Sequence, residues 1–213
     1  MNSADIFNAL YKNIKFDDYF LQILGKFEAL ILVFLLKDRS LSLSKQALLD
    51  LKPFLNLEDF INLNPLKLSK ILKSKSIKKS EIIINFCQNL ISEFGDFEYF
   101  KSNADRDWLI QNRGVSLVSV DEIFSFVLCK KNMAVSSSML KILKCLNFEF
   151  DSYFEAKEWI ECFRFDKNFY DFKSENEFFC AYQILAYEFA NLHFKGLNLS
   201  SEGREILSKI KFI

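Results

Sequence analysis

Between Asp107 and Leu128 the chain reads DWLIQNRGVSLVSVDEIFSFVL, which allows little besides two helices meeting at a sharp corner. Trp108, Leu109 and Ile110 close the first helix. Val120, Ile123, Phe124, Val127 and Leu128 then recur at i, i+3, i+4, i+7 and i+8, the period of a helix with one buried face. Asn112-Arg113-Gly114 forms the corner. The chain has only five glycines, and Gly114 stands where a backbone with positive φ and no Cβ lets a partner approach closely. Ser116 and Ser119 are placed to cap the second helix. A tight turn feeding a helix N-terminus directs several N–H groups at one spot, which suits a phosphate. Spacing alone leaves a second reading open, an ordinary turn between two core helices.

With two prolines in 213 residues, punctuation falls to Ser, Asn and Asp, and the periodicity is helical nearly throughout. The expected helices are Asp5–Asn13, a long buried one over Phe20–Leu36, one near Ser44 interrupted by Pro53, Leu57–Leu63 and Pro65–Leu72. After the basic segment Lys73–Lys79, Ser80 is expected to cap Glu81–Phe94, and Ser102 or Asn103 to cap the helix entering the corner. Met139–Leu146, Phe154–Phe163, Glu175–Leu192 and Ser200–Ile210 follow. No strand pair, internal repeat or low-complexity linker is evident.

Formal charge is zero, with 28 Lys+Arg against 28 Asp+Glu. Contact with nucleic acid must therefore rest on a local patch. Phe, Lys, Ile, Asn and Leu are abundant, as in an AT-rich coding sequence, so a Phe or a Lys is weak evidence by itself. The five cysteines (Cys87, Cys129, Cys145, Cys162 and Cys180) lack metal-ligand spacing, and an odd number suggests reduced, mostly buried thiols in a cytosol. The longest apolar run, Ala29–Leu36, is far shorter than the roughly 20 residues of a membrane span and reads as a core helix. The expectation is a cytoplasmic protein without a membrane segment. Ser136–Ser138 and the lone His193 do not make a hydrolase, because nothing in the sequence brings them together.

The corner resembles the helix-hairpin-helix of the endonuclease III superfamily of DNA glycosylases. The residues carrying the resemblance are Leu109, then Arg113-Gly114-Val115-Ser116, then Ser119-Val120-Asp121. Lys26–Leu36 is similar to the helix before that family's DNA-facing loop, and Lys79–Lys101 to the helix and connector before its hairpin. Met133-Ala134-Val135 is similar to the segment leading to its catalytic Asp. His193-Phe194-Lys195 resembles a His-x-Lys of the 3-methyladenine DNA glycosylases that lack an iron–sulfur cluster. The resemblance spans about residues 20–200.

It implies an all-α fold of two helical subdomains flanking a cleft. One would be about residues 1–25 plus 132–213, the other about 26–131 with the hairpin at 107–128. The implied partner is duplex DNA in a bacterial cytoplasm, associated with the nucleoid, bound by a monomer. The implied activity is monofunctional base release in base-excision repair, with the damaged base flipped out because its glycosidic bond is unreachable in a stacked duplex. DNA contacts would come from Arg113, Gly114, Val115, Ser116, Ser119, Lys37, Arg39 and Lys79. Tyr19, Phe20 and Phe27 are the candidate base-pocket aromatics, and core packing is the alternative role for each. Lys195 is the candidate polar residue of the pocket, with a solvated surface lysine as the alternative.

Four departures bear on activity. The second hairpin glycine is Ser116. The amide-rich segment after the first core helix is Lys37-Asp38-Arg39. The catalytic Asp position is Ser136, whose neutral hydroxyl cannot stabilise a cationic sugar; loss of such an electrostatic contribution costs about 3 kcal/mol or more of barrier. The lysine of bifunctional members is unmatched, with Leu117 and Val118 there instead, and the family's C-terminal cysteine cluster is missing, so neither a Schiff-base lyase nor an iron–sulfur cofactor is expected. Asp121 and Glu122 read as first-turn acids that face solvent or pair locally. Two functional classes stay open: a DNA glycosylase with impaired chemistry, and a non-enzymatic DNA-binding or protein-interaction module on the same fold.

Overall fold

The computed structural model describes residues 2–74, 76–162 and 170–210. Lys75 of the basic segment and Phe163, the expected end of one helix, lie outside them. The chain forms two compact units, one from Met1–Gln22 and Lys130–Ile213, the other from Ile23–Cys129.

The chain begins with α1 (Ser3–Asn13) and α2 (Tyr19–Gln22) of the discontinuous unit. The contiguous unit follows with α3 (Phe27–Leu36), α4 (Leu41–Leu51), α5 (Leu57–Ile61), α6 (Pro65–Ile71), α7 (Ile77–Phe94), α8 (Phe97–Asn103), α9 (Arg106–Gln111) and α10 (Leu117–Glu122). The discontinuous unit resumes with α11 (Ser137–Cys145), α12 (Tyr153–Glu161), α13 (Glu175–His193), the strands β1 (Phe194–Lys195) and β2 (Asn198–Leu199), and α14 (Ser201–Ser208).

In the contiguous unit α3 is apolar all round, and every residue in it except Glu28 is buried, as befits a helix through the middle of a core. The expected single helix over Phe20–Leu36 does not form. Gly25 has φ +73° and its N–H donates to the Phe126 carbonyl at 2.8 Å, so the chain turns between α2 and α3. Around α3 the aromatic rings interlock. Phe34 meets Phe86 edge-on at 5.2 Å, and Trp108 packs edge-on against Phe86, Phe94 and Phe100. Such pairs contribute about 0.5–1.5 kcal/mol each beyond area burial.

Most helix starts, though not that of α3, are set by local side-chain caps, several of them displaced from where they were expected. Ser40 caps α4, Ser76 rather than Ser80 caps α7, and Asp105 rather than Ser102 or Asn103 caps α9. Ser80 is fully buried within α7. Each cap accepts a backbone N–H that the first turn would otherwise leave unpaired. Beyond Glu122, α10 widens into a π-turn over Ile123–Val127, closed by Leu128 N–H donating to the Ile123 carbonyl at 2.9 Å.

The discontinuous unit is organised on α13, which α1, α11 and α14 contact. Phe7 lies among Phe178, Tyr182 and Tyr170, and the buried Tyr182 hydroxyl donates to the Ser3 carbonyl at 2.9 Å. The strand pair not foreseen from sequence is a two-residue hairpin, Phe194 opposite Leu199 and Lys195 opposite Asn198. Gly196, at φ +66°, makes its turn possible. Only Cys87 and Cys180 are buried; Cys129, Cys145 and Cys162 are exposed, against the expectation of mostly buried thiols. No helix among the described residues is long and apolar enough to cross a membrane.

Candidate nucleic-acid interface

The corner between α9 and α10 is built as its residue types require. Gly114 has φ +84°, and a Cβ placed there would lie 2.6 Å from Ile82 Cγ2. Position 114 thus excludes a side chain twice over, by backbone conformation and by the proximity of α7. Ser116 has φ −109° and ψ 169°, extended backbone that needs no glycine. The serine adds a cap: Ser116 Oγ accepts from Ser119 N–H at 3.2 Å and lies 2.9 Å from Ser119 Oγ. Arg113, Gly114 and Ser116 are exposed, Val115 is half-buried and Ser119 is buried.

Asp121 and Glu122 do not face solvent. Both are buried, and Asp121 accepts from Arg106 across the corner, so α9 and α10 are joined by an ion pair whose carboxylate is fully enclosed. The Arg106 guanidinium also lies 4.8 Å from the Phe124 ring centroid.

The charged segment after α3 meets the corner directly. Lys37 Nζ donates to the Gly114 carbonyl. Burial lowers the pKa of the Lys37 ammonium, and the Glu122 carboxylate works in the opposite direction. Lys79 of α7 is paired with Asp38; burial lowers its pKa too, while the Asp38 bond favours the charged form. Lys79, Asp38 and Arg39 share a pocket of about 510 Å³. Arg113 lies at a second pocket, of about 260 Å³, with Lys78, Glu81 and Ile82. Lys37, Lys79, Arg39 and the corner therefore form one basic region of the contiguous unit. An ammonium seated on the Gly114 carbonyl puts a positive charge beside the exposed turn, an arrangement suited to a phosphate.

Among solved structures the chain is similar to the crystal structure of H. pylori 3-methyladenine DNA glycosylase (MagIII) bound to 1,N6-ethenoadenine. The TM-score is 0.76 with 22% identity, over 92% of this chain and 100% of that one. The chain has the helix-hairpin-helix glycosylase fold. No protein-family model matches it, and no curated protein does.

On this glycosylase fold the remaining candidate residues fall as follows. Ser136 is buried and caps α11, its Oγ accepting from Met139 N–H at 3.3 Å. Lys195 is exposed on β1. His193 is buried; its Nδ1 lies 3.0 Å from Ser200 Oγ, which also accepts from Gly203 N–H. Phe20 is buried and meets the half-buried Tyr19 edge-on at 5.5 Å, whereas Phe27 packs edge-on against Phe60 and Phe97 in the core of the contiguous unit.

Three contributors were missed from sequence. Ile82 packs against the corner from α7, Glu122 at the end of α10 acts on Lys37, and Asp38 ties Lys79 to the segment after α3. Only Asp38 had a sequence signal, as the acid between two bases in Lys37-Asp38-Arg39.

Proposed function

We propose that this protein binds duplex DNA through the α9–α10 corner, with Arg113 through Ser116 presenting backbone and side-chain groups to one phosphate run and the buried Ser119, expected from sequence to touch DNA, holding Ser116 in place instead. Lys37, Arg39 and Lys79 supply the positive charge. Such contacts position the duplex without reading its sequence. The observation that carries this reading is the Lys37 ammonium held on the Gly114 carbonyl within a glycosylase fold. By analogy with the H. pylori enzyme, the damaged base is an alkylated or etheno-type purine.

We further propose that base release is impaired. The residue at the family's acid position, Ser136, spends its hydroxyl on capping α11 and carries no charge to stabilise a cationic sugar. Aspartate is an equally good N-cap, so Ser136→Asp restores a carboxylate without removing the cap.

Fluorescence anisotropy with a blunt duplex across a salt series tests binding, and base release from duplexes containing 3-methyladenine or 1,N6-ethenoadenine tests chemistry. The expected result is steeply salt-dependent binding, no release by the natural chain, and measurable release by Ser136→Asp. Robust release by the natural chain that Lys195→Ala abolishes would overturn the impairment. Absence of binding at low salt would overturn the DNA reading and leave a helical interaction module.

A further inference from the structure

The pocket of about 510 Å³ beside the corner has a character that phosphate gripping alone does not explain. Arg39, Lys73 and Lys79 supply three cations to its lining, against the single carboxylate of Asp38. Leu43 and the half-buried Ile71 supply apolar surface. Leu43 is 60% exposed, an apolar side chain held open at the rim of a charged cavity. The volume falls within the range of about 300–1,000 Å³ usual for small-molecule sites. Inorganic phosphate would leave most of that space and the apolar surface unused. A ligand with an anionic end and a flat apolar end would use both.

Lys73 strengthens the case. It ends α6 with φ +49°, in the left-handed position where helices usually place glycine; Ser74 N–H donates to the Ser69 carbonyl at 2.9 Å in the corresponding closing bond. A lysine there is disfavoured relative to a residue without a Cβ. The fold therefore carries a charge into the pocket lining at a position where its own stability favours glycine.

We infer that this pocket is a nucleotide site, taking a phosphate ester on Arg39, Lys73 and Lys79 and its base against Leu43 and Ile71. Lys37 binds the Gly114 carbonyl while the adjacent Asp38 binds Lys79, so pocket and corner are contiguous. This favours an unpaired nucleotide of the bound DNA over a free mononucleotide, and in that form the inference rests on the duplex-binding reading.

The test uses the full chain with a blunt duplex, the same duplex bearing a single 5′-phosphorylated unpaired nucleotide at one end, adenosine 5′-monophosphate, and inorganic phosphate. The expected result is about tenfold tighter binding of the overhanging duplex than of the blunt one. That ratio collapses to one in Lys73→Gly and in Leu43→Asp, and Lys73→Gly, being the better helix terminator, melts no lower than the natural chain. Adenosine monophosphate competes for the preference and inorganic phosphate does so far more weakly. Blunt binding with no preference for the overhang overturns the pocket while leaving the duplex reading intact. Equal competition by phosphate overturns base recognition. If no duplex binds, mononucleotide binding lost in Lys73→Gly upholds the pocket with a free nucleotide as its ligand, and absence of both sinks it.

Discussion

Replacing Gly114 by alanine tests the corner most directly. Two penalties add. The φ of +84° is left-handed backbone, which costs an L residue roughly 1–2 kcal/mol. The new Cβ would meet Ile82 Cγ2 at 2.6 Å, and relieving an overpacked contact costs roughly 1–3 kcal/mol. Ile82 cannot simply rotate away, because a β-branched side chain in a helix is confined to one strongly preferred χ1 rotamer. The expected loss is about 2–5 kcal/mol. Urea unfolding followed by Trp108 fluorescence in a Trp159→Phe background reads it, since Trp108 reports on the contiguous unit. The steric share is separable: in an Ile82→Ala background the cost of Gly114→Ala should fall to the backbone penalty alone, a coupling of about 1–3 kcal/mol. Duplex affinity should drop in Gly114→Ala and recover in part in the double variant. A loss below 0.5 kcal/mol, or a loss unchanged by Ile82→Ala, would refute the account of why this corner needs glycine.

Arg106→Met leaves the enclosed Asp121 carboxylate without its guanidinium and should cost about 3 kcal/mol, the low end for breaking a buried pair, because the arginine side chain is itself 41% exposed; chemical denaturation measures it. Ser136→Ala removes the α11 cap and should cost about 1 kcal/mol, as a thermal melt would show. Lys37→Met should lower duplex affinity and reduce the slope of log K against log salt by about one; because burial lowers the lysine pKa, the natural chain should also lose affinity at a lower alkaline pH than an ordinary lysine would dictate. Burial and then Asp17 raise the pKa of Glu188, so folding takes up a proton between the unfolded and folded values. Stability from this group is full below the unfolded value and is lost as pH rises through the folded one; Glu188→Gln should flatten that slope in pH-resolved melts.

Helix content and the corner were legible because periodicity and one well-placed glycine are local signals. Helix starts were less so: Ser76 and Ser80 both qualify as caps by type, and choosing between them depends on which face of α7 the core accepts. The break at Gly25 was hidden by an apolar run long enough for one helix, since the Phe126 carbonyl that captures the Gly25 N–H lies a hundred residues away in sequence. The hairpin at Phe194–Leu199 was too short for strand alternation to register. At the candidate interface, the basic residue types were readable. That Lys37 reaches Gly114, or that Asp121 and Glu122 are enclosed, depends on tertiary packing, which no spacing encodes.

The anchoring of Gly25 to Phe126 also bears on the order in which the protein is made. The contiguous unit is a single uninterrupted segment whose beginning is hydrogen-bonded close to its end, so it can close as soon as Cys129 has left the ribosome. The other unit cannot. Its first helix must wait for Tyr182, 179 residues after the Ser3 carbonyl that binds the tyrosine hydroxyl. Domains fold as units during synthesis, and contacts so distant in sequence form slowly. The contiguous unit should therefore be protease-resistant in chains stalled shortly after its completion, with α1 still accessible to cleavage.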